Sequence, residues 1–183
     1  MAIQDRKLHE VITILDGNPD SLETVGFSNA NCRDKTPLMY ALQCGFFELV
    51  DLLIERGADI HAKMSAGPRF SVLDLVAKFG HPSSFQYEEF LSVAKKLLAL
   101  GANVDGALDI AIFSANFTDP RTDMIELLLE SGGSLDYETP AGKTCELIEE
   151  SRGIFDEKVL ALIDRQNASN KPPYTDVTCV YGL

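Results

Sequence analysis

The 183 residues carry 28 acids against 16 bases, a formal charge of −12, with 45% hydrophobic and 24% charged residues. That is ordinary globular composition, which excludes wholesale disorder. The acidic balance disfavours a broad phosphate-binding surface, so no nucleic-acid partner is expected, while a basic protein partner stays open.

In chain order, Met1 to Lys7 leads into no uninterrupted apolar run, so no secretory signal is expected. No segment approaches the roughly 18 apolar residues of a membrane span, and the chain reads as cytoplasmic with no membrane partner. Leu8 through Leu22 is predicted to cap one end. Thr36 and Pro37 then open a helix: the threonine accepts a backbone N–H bond, and the proline occupies the first position, where a missing N–H removes nothing. Gly45 ends it. Apolar residues at 49, 50, 53 and 54 make one stripe at helical period, and Gly57 supplies the positive φ that stops this second helix.

The same grammar recurs. Leu38-Met39-Tyr40-Ala41, Leu73-Asp74-Leu75-Val76 and Leu108-Asp109-Ile110-Ala111 begin 35 residues apart each time. Each is followed by a second apolar block and a glycine stop, at Gly57-Ala58, Gly101-Ala102 and Gly132-Gly133. One such helix pair is too thin to bury its own stripe, so neighbours must stack and share a core.

Asp34-Lys35-Thr36-Pro37-Leu38-Met39-Tyr40-Ala41, Gly45 and Leu53-Ile54-x-x-Gly57-Ala58-Asp59-Ile60-His61-Ala62 resemble an ankyrin repeat over a full unit, with Met39 in place of the family's histidine. Ser71-Val72-Leu73-Asp74 and Gly106-Ala107-Leu108-Asp109 are degenerate openings. Gly142-Lys143-Thr144, with Gly153 nine residues after Thr144, looks like a fourth; Glu146 and Glu149 stand there where the family has Leu and Ala, which fits a capping repeat or a displaced alignment. The resemblance implies an all-α ankyrin-repeat solenoid of four to five stacked helix-turn-helix units with short hairpin-like connecting loops. Its expected bounds are a domain over 1–163, with a capping unit about 5–30, repeats about 31–63, 64–105, 106–137 and 138–163, and a tail over 164–183 without periodicity.

Two insertions depart from the pattern. Gly80 to Gly101 spans 21 residues against 12 from Gly45 to Gly57, an excess of nine that places His81 to Glu89 in the connection before the second helix. Ala115 to Gly132 spans 17, an excess of five that includes Asp119-Pro120. A binding edge and a tolerated loop both fit such insertions.

Catalytic patterns are missing. Cys32, Cys44, Cys145 and Cys179 form no CxxC pair and share no metal-ligand spacing with His9, His61 and His81, so reduced thiols, no metal and no cofactor are expected. Asp74 and Asp109 read as helix N-terminal residues rather than as a catalytic pair. The chain is expected not to be an enzyme; an unfamiliar site around Cys44 or the insertion is the competing class.

Binding is the function the resemblance implies, through hairpin tips and the first helix of each unit. Carried onto this sequence, the partner-binding positions are Arg33, Lys35, Gln43 and Cys44, then Arg69, Phe70, Lys78 and Phe79, then Phe113 and Ser114, then Ser151 and Arg152. Phe79 and Phe113 read either as interface anchors or as rings tucked between repeats. Charge adds Glu146, Glu149 and Glu150: residues 101–157 hold 13 acids and 3 bases, whereas 1–100 hold 13 and 10. That asymmetry fits a solvated cap or an acidic docking face. The expected function is stoichiometric binding of another protein by a chain monomeric when unbound, as an inhibitor or immunity protein, with an adaptor or assembly factor as the alternative.

Overall fold

The computed structural model describes residues 9, 12–23, 35–65, 69–81, 83–115, 121–139 and 142–170. Four helix pairs follow one another: α1 (Pro37–Cys44) with α2 (Phe47–Glu55), α3 (Val72–Phe79) with α4 (Tyr87–Ala99), α5 (Asp105–Ser114) with α6 (Asp123–Glu130), and α7 (Thr144–Glu150) with α8 (Glu157–Asn170). A two-residue antiparallel hairpin, β1 (Glu138–Thr139) and β2 (Gly142–Lys143), precedes α7.

The starts and stops are those the residues dictate. The Met39 N–H donates to Thr36 Oγ1 at 3.4 Å, and Pro37 opens α1. Ser71 and Asp74 cap α3 reciprocally: the Asp74 N–H donates to Ser71 Oγ at 3.2 Å and the Ser71 N–H to Asp74 Oδ2 at 2.8 Å. Such a cap stabilises a helix by about 1 kcal/mol. Gly57, Gly101 and Gly132 have φ of +86°, +87° and +93° and end α2, α4 and α6 alike. At each, the N–H after the glycine donates to a carbonyl five residues back: Ala58 to Leu53, Ala102 to Leu97 and Gly133 to Leu128, at 2.9–3.0 Å.

A further period lies just beyond. The His61 N–H donates to Asp59 Oδ1 at 2.8 Å, the Asp105 N–H to Asn103 Oδ1 at 3.0 Å and the Asp136 N–H to Ser134 Oγ at 3.1 Å. Asp, Asn and Ser are interchangeable there because each offers a short side-chain oxygen to the backbone two residues on.

Packing makes the units one body. The first helices α1, α3 and α5 lie side by side, so the segments opening at Leu38, Leu73 and Leu108 are neighbours. These three leucines are at most 1% exposed and belong to one core that runs from Leu15 to Ile163. Burying each contributes roughly 1.5–3 kcal/mol. At the amino-terminal end Leu15 and Leu22 join the core, Asp16 pairs with Arg56 at 2.6 Å and Glu23 Oε1 accepts from the Asp59 N–H at 2.8 Å.

Several expectations are corrected. The tail drawn from residue 164 is helical through Asn170, because α8 runs on past the buried Val159, Leu162 and Ile163. The insertion does not all lie in a connection: Tyr87, Glu88 and Glu89 form the first turn of α4, leaving 81–86 as the loop. In α5, Asp109 sits in the second turn, since the Asn103 turn starts the helix at Asp105. This early start removes a hairpin: the chain goes from Gly57 to Val72 between α2 and α3, with Lys63 bridging Ser71, but directly from Gly101 to Asp105 between α4 and α5. Met1 to Leu8, Cys32, Arg33, Asp119-Pro120 and Cys179 lie outside the described residues.

Candidate functional site

The candidate partner-binding residues lie along the carboxy-terminal ends of the first helices. Gln43 and Cys44 end α1 and are exposed; Lys78 is exposed as the last residue but one of α3; Ser114 ends α5 half-buried, and Ser151 follows α7, also half-buried. On the hairpin side, Lys35 is half-buried, Arg69 is exposed at φ +51° and Phe70 is half-buried. The Lys78 ammonium lies 4.5 Å from the centroid of the Phe70 ring, a cation–π contact that joins the two regions across α3.

The two other aromatic candidates pack inward against the core. Phe113 sets its ring 5.5 Å from that of Phe155 in the next unit, edge to face at 64°, and Phe79 packs half-buried against the core. The Phe113 ring is therefore tucked between repeats, the second of the two roles open to it, while Phe79 lies half-buried on the shared core. In the fourth unit, Thr144 and Ile148 are buried while Glu146, Glu149 and Glu150 are exposed. Positions i, i+3 and i+4 share one helix face, so three carboxylates stand together. Arg152 is half-buried and fully committed: it donates to Glu149 at 2.7 Å and to Asp164 at 2.6 Å, tying α7 to α8.

Asp74 and Asp109 hold repeats together. The Thr144 hydroxyl donates to Asp109 Oδ1 at 3.1 Å, and Asp74 Oδ1 lies so close to Gly106 that a Cβ there would meet it at 2.8 Å, so each carboxylate lies against the first turn of the helix that opens the following unit. Burial raises the Asp109 pKa above the ordinary value, opposed by the Thr144 hydrogen bond and reinforced by the charge of Asp74. A raised folded-state pKa means that the folded chain binds more protons than the unfolded one in that window. The contribution of this group to stability therefore grows as pH falls through the folded value toward the unfolded one. Asp109→Asn, which keeps an acceptor for Thr144, is expected to be at least as stable as the parent at pH 7, its advantage shrinking on acidification. Urea unfolding at neutral and mildly acidic pH checks this; a large neutral-pH loss in the variant would contradict it.

The insertion proved a staple, which the sequence did not reveal. Gln86 Nε2 donates to the Gly45 carbonyl at 3.2 Å in the unit before, and the buried Tyr87 hydroxyl accepts from the Met124 N–H at 3.1 Å in the unit after. Burial pushes the Tyr87 phenol up to about 12, so it stays protonated. Beyond this anchor Phe85 is fully exposed at the loop tip.

Among the described residues no group of three or more His, Cys, Asp or Glu is placed to hold a metal, and no helix is long and apolar enough to cross a membrane. Cys44 and Cys145 are free thiols, the latter 3.6 Å from Asp136 Oδ1.

Residues 33–65 match the family model described as ankyrin repeat. The chain carries an ankyrin repeat. Around it, the described residues have the mostly helical, ankyrin-like repeat fold, and an ankyrin repeat is a protein–protein interaction module, typically without catalysis. No curated protein matches the chain.

Proposed function

We propose that this ankyrin-repeat chain is a non-catalytic binder that holds a basic partner protein by its first-helix face and its acidic carboxy-terminal half, acting as a stoichiometric inhibitor or immunity protein. The observation that carries the reading is the α7 face: Glu146, Glu149 and Glu150 stand exposed on the side opposite Thr144 and Ile148, within the segment that holds 13 acids against 3 bases. Such a field raises the on-rate of a cationic partner and is weakened by salt. Gln43, Cys44 and Lys78 extend the contact along the first helices.

A specific observation favours an adaptor as the second reading. The exposed charge divides into a cationic region, Arg69 and Lys78 beside Phe70, and the anionic α7 face, which suit two partners of opposite charge.

The test begins with capture from the native cell and mass spectrometry, where one tight basic partner supports inhibition and several weaker ones an adaptor. Association kinetics then decide the docking face. Glu146→Lys with Glu150→Lys, leaving Glu149 to hold Arg152, is expected to slow association by about tenfold at low salt and to flatten its salt dependence. Unchanged kinetics would reject the acidic docking face.

A further inference from the structure

The missing hairpin between α4 and α5 has a geometric consequence. Between the 60–63 segment with Ser71 and Leu73 on one side and the short 102–103 loop on the other lies a cleft of about 200 Å³. Its floor is apolar, from Ile60, Leu73 and Ala102, with Leu73 only 1% exposed; His61, Lys63 and Asn103 stand at its rim. At the opposite edge, where first helices turn into second helices, the 81–86 loop presents a fully exposed Phe85. Exposed Glu88 and Glu89 follow directly on α4, and the backbone beneath is fixed by Gln86 on Gly45 and Tyr87 on Met124.

We propose that the chain associates head to tail with a second copy of itself, the Phe85 ring of one copy seated in the cleft between the 60–63 segment and the 102–103 loop of the next. Size is the first argument. A cavity of about 150 Å³ holds a benzene ring, so about 200 Å³ takes a phenyl group with room for its Cβ. Charge is the second: the ring arrives beside the carboxylate of Glu89, with Glu88 shared with Arg121 at 3.6 Å, and the cleft receives it beside Lys63. Repulsion between two chains of charge −12 is screened beyond about 8 Å at physiological ionic strength, whereas contact pairs at the rim are not. Placement is the third. Ring and cleft lie at opposite ends of an eight-residue helix, α3, roughly 12 Å long, so one copy cannot fill its own cleft and the contact is heterologous. This association is independent of the acidic docking face and uses a different surface.

Sedimentation velocity of the full chain from micromolar to millimolar concentration tests it. The parent is expected to grow in mass with concentration. Phe85→Ser and Lys63→Glu are each expected to weaken self-association at least tenfold, with helical circular dichroism unchanged because both side chains are exposed. Mixing the two variants restores one ring and one sound cleft, so the mixture is expected to form a 1:1 dimer that grows no further. A parent that stays monomeric throughout, a Phe85→Ser variant that associates like the parent, or a mixture that stays monomeric while the parent associates would each overturn the proposal.

Discussion

Tyr87→Ala is expected to destabilise the protein by about 3–5 kcal/mol, a large share of the 5–15 kcal/mol that holds a typical domain together. The ring is 1% exposed and its removal leaves a cavity the rigid helix pairs around it cannot close. The hydroxyl adds a separate effect, since it satisfies the Met124 N–H at the start of α6, a donor that has no partner within its own helix. Tyr87→Phe separates the two contributions: it keeps the packing and removes the acceptor, and its expected loss is about 1–2 kcal/mol. Arg121, with its guanidinium 5.1 Å from the ring centroid and 3.6 Å from Glu88, lies over the same site but is exposed, so its replacement moves stability little. Urea denaturation of the three variants checks the order. Equal stability of Tyr87→Ala and the parent would show that the inserted turn is a tolerated loop and no staple.

That staple marks the limit of what the residues disclose unaided. Thr36, Pro37, Gly45, Gly57, Gly101 and Gly132 announce their roles because capping and positive φ are local demands, met by few residue types. The spacing of Leu38, Leu73 and Leu108 announces the stacking because only neighbouring units offer those side chains an apolar surface. Tyr87 announces nothing: a tyrosine in a polar, proline-containing insertion reads as loop, and its partner is a backbone N–H 37 residues away. The lost hairpin before α5 is legible only by counting: Gly57 to Leu73 spans 16 residues but Gly101 to Leu108 only 7, a shortening that the nine-residue insertion masks by keeping the leucines 35 apart. At the candidate site, residue type was legible and orientation was not. Phe113 was recognisable as an aromatic on a first helix, but which way its ring points is decided by Phe155, 42 positions on, so groove anchor and inter-repeat filler look alike until the next unit is in place.

Leu128→Asp should reach the farthest. Leu128 is fully buried on α6, and its carbonyl accepts the Gly133 N–H that closes the helix. The change removes the roughly 1.5–3 kcal/mol of its burial and places a carboxylate in the apolar core, a desolvation of several kcal/mol even after the group protonates or the site relaxes. Together these approach the whole stability of an ordinary domain. How the loss spreads is the informative part. In a stacked array a unit is stabilised by its interfaces, so failure of the third pair strips α4 of its contact with α6 and leaves Tyr87 without Met124. The fourth pair loses the Phe113–Phe155 and Asp109–Thr144 contacts at the same time. Hydrogen exchange read residue by residue is therefore expected to show protection lost through 72–170 together, with α1 and α2 weakened last because the amino-terminal cap at Leu15 and Leu22 still covers them. Loss confined to 105–133 would mean that the helix pairs own independent cores, and the shared core from Leu15 to Ile163 would then not be what holds this chain in one piece.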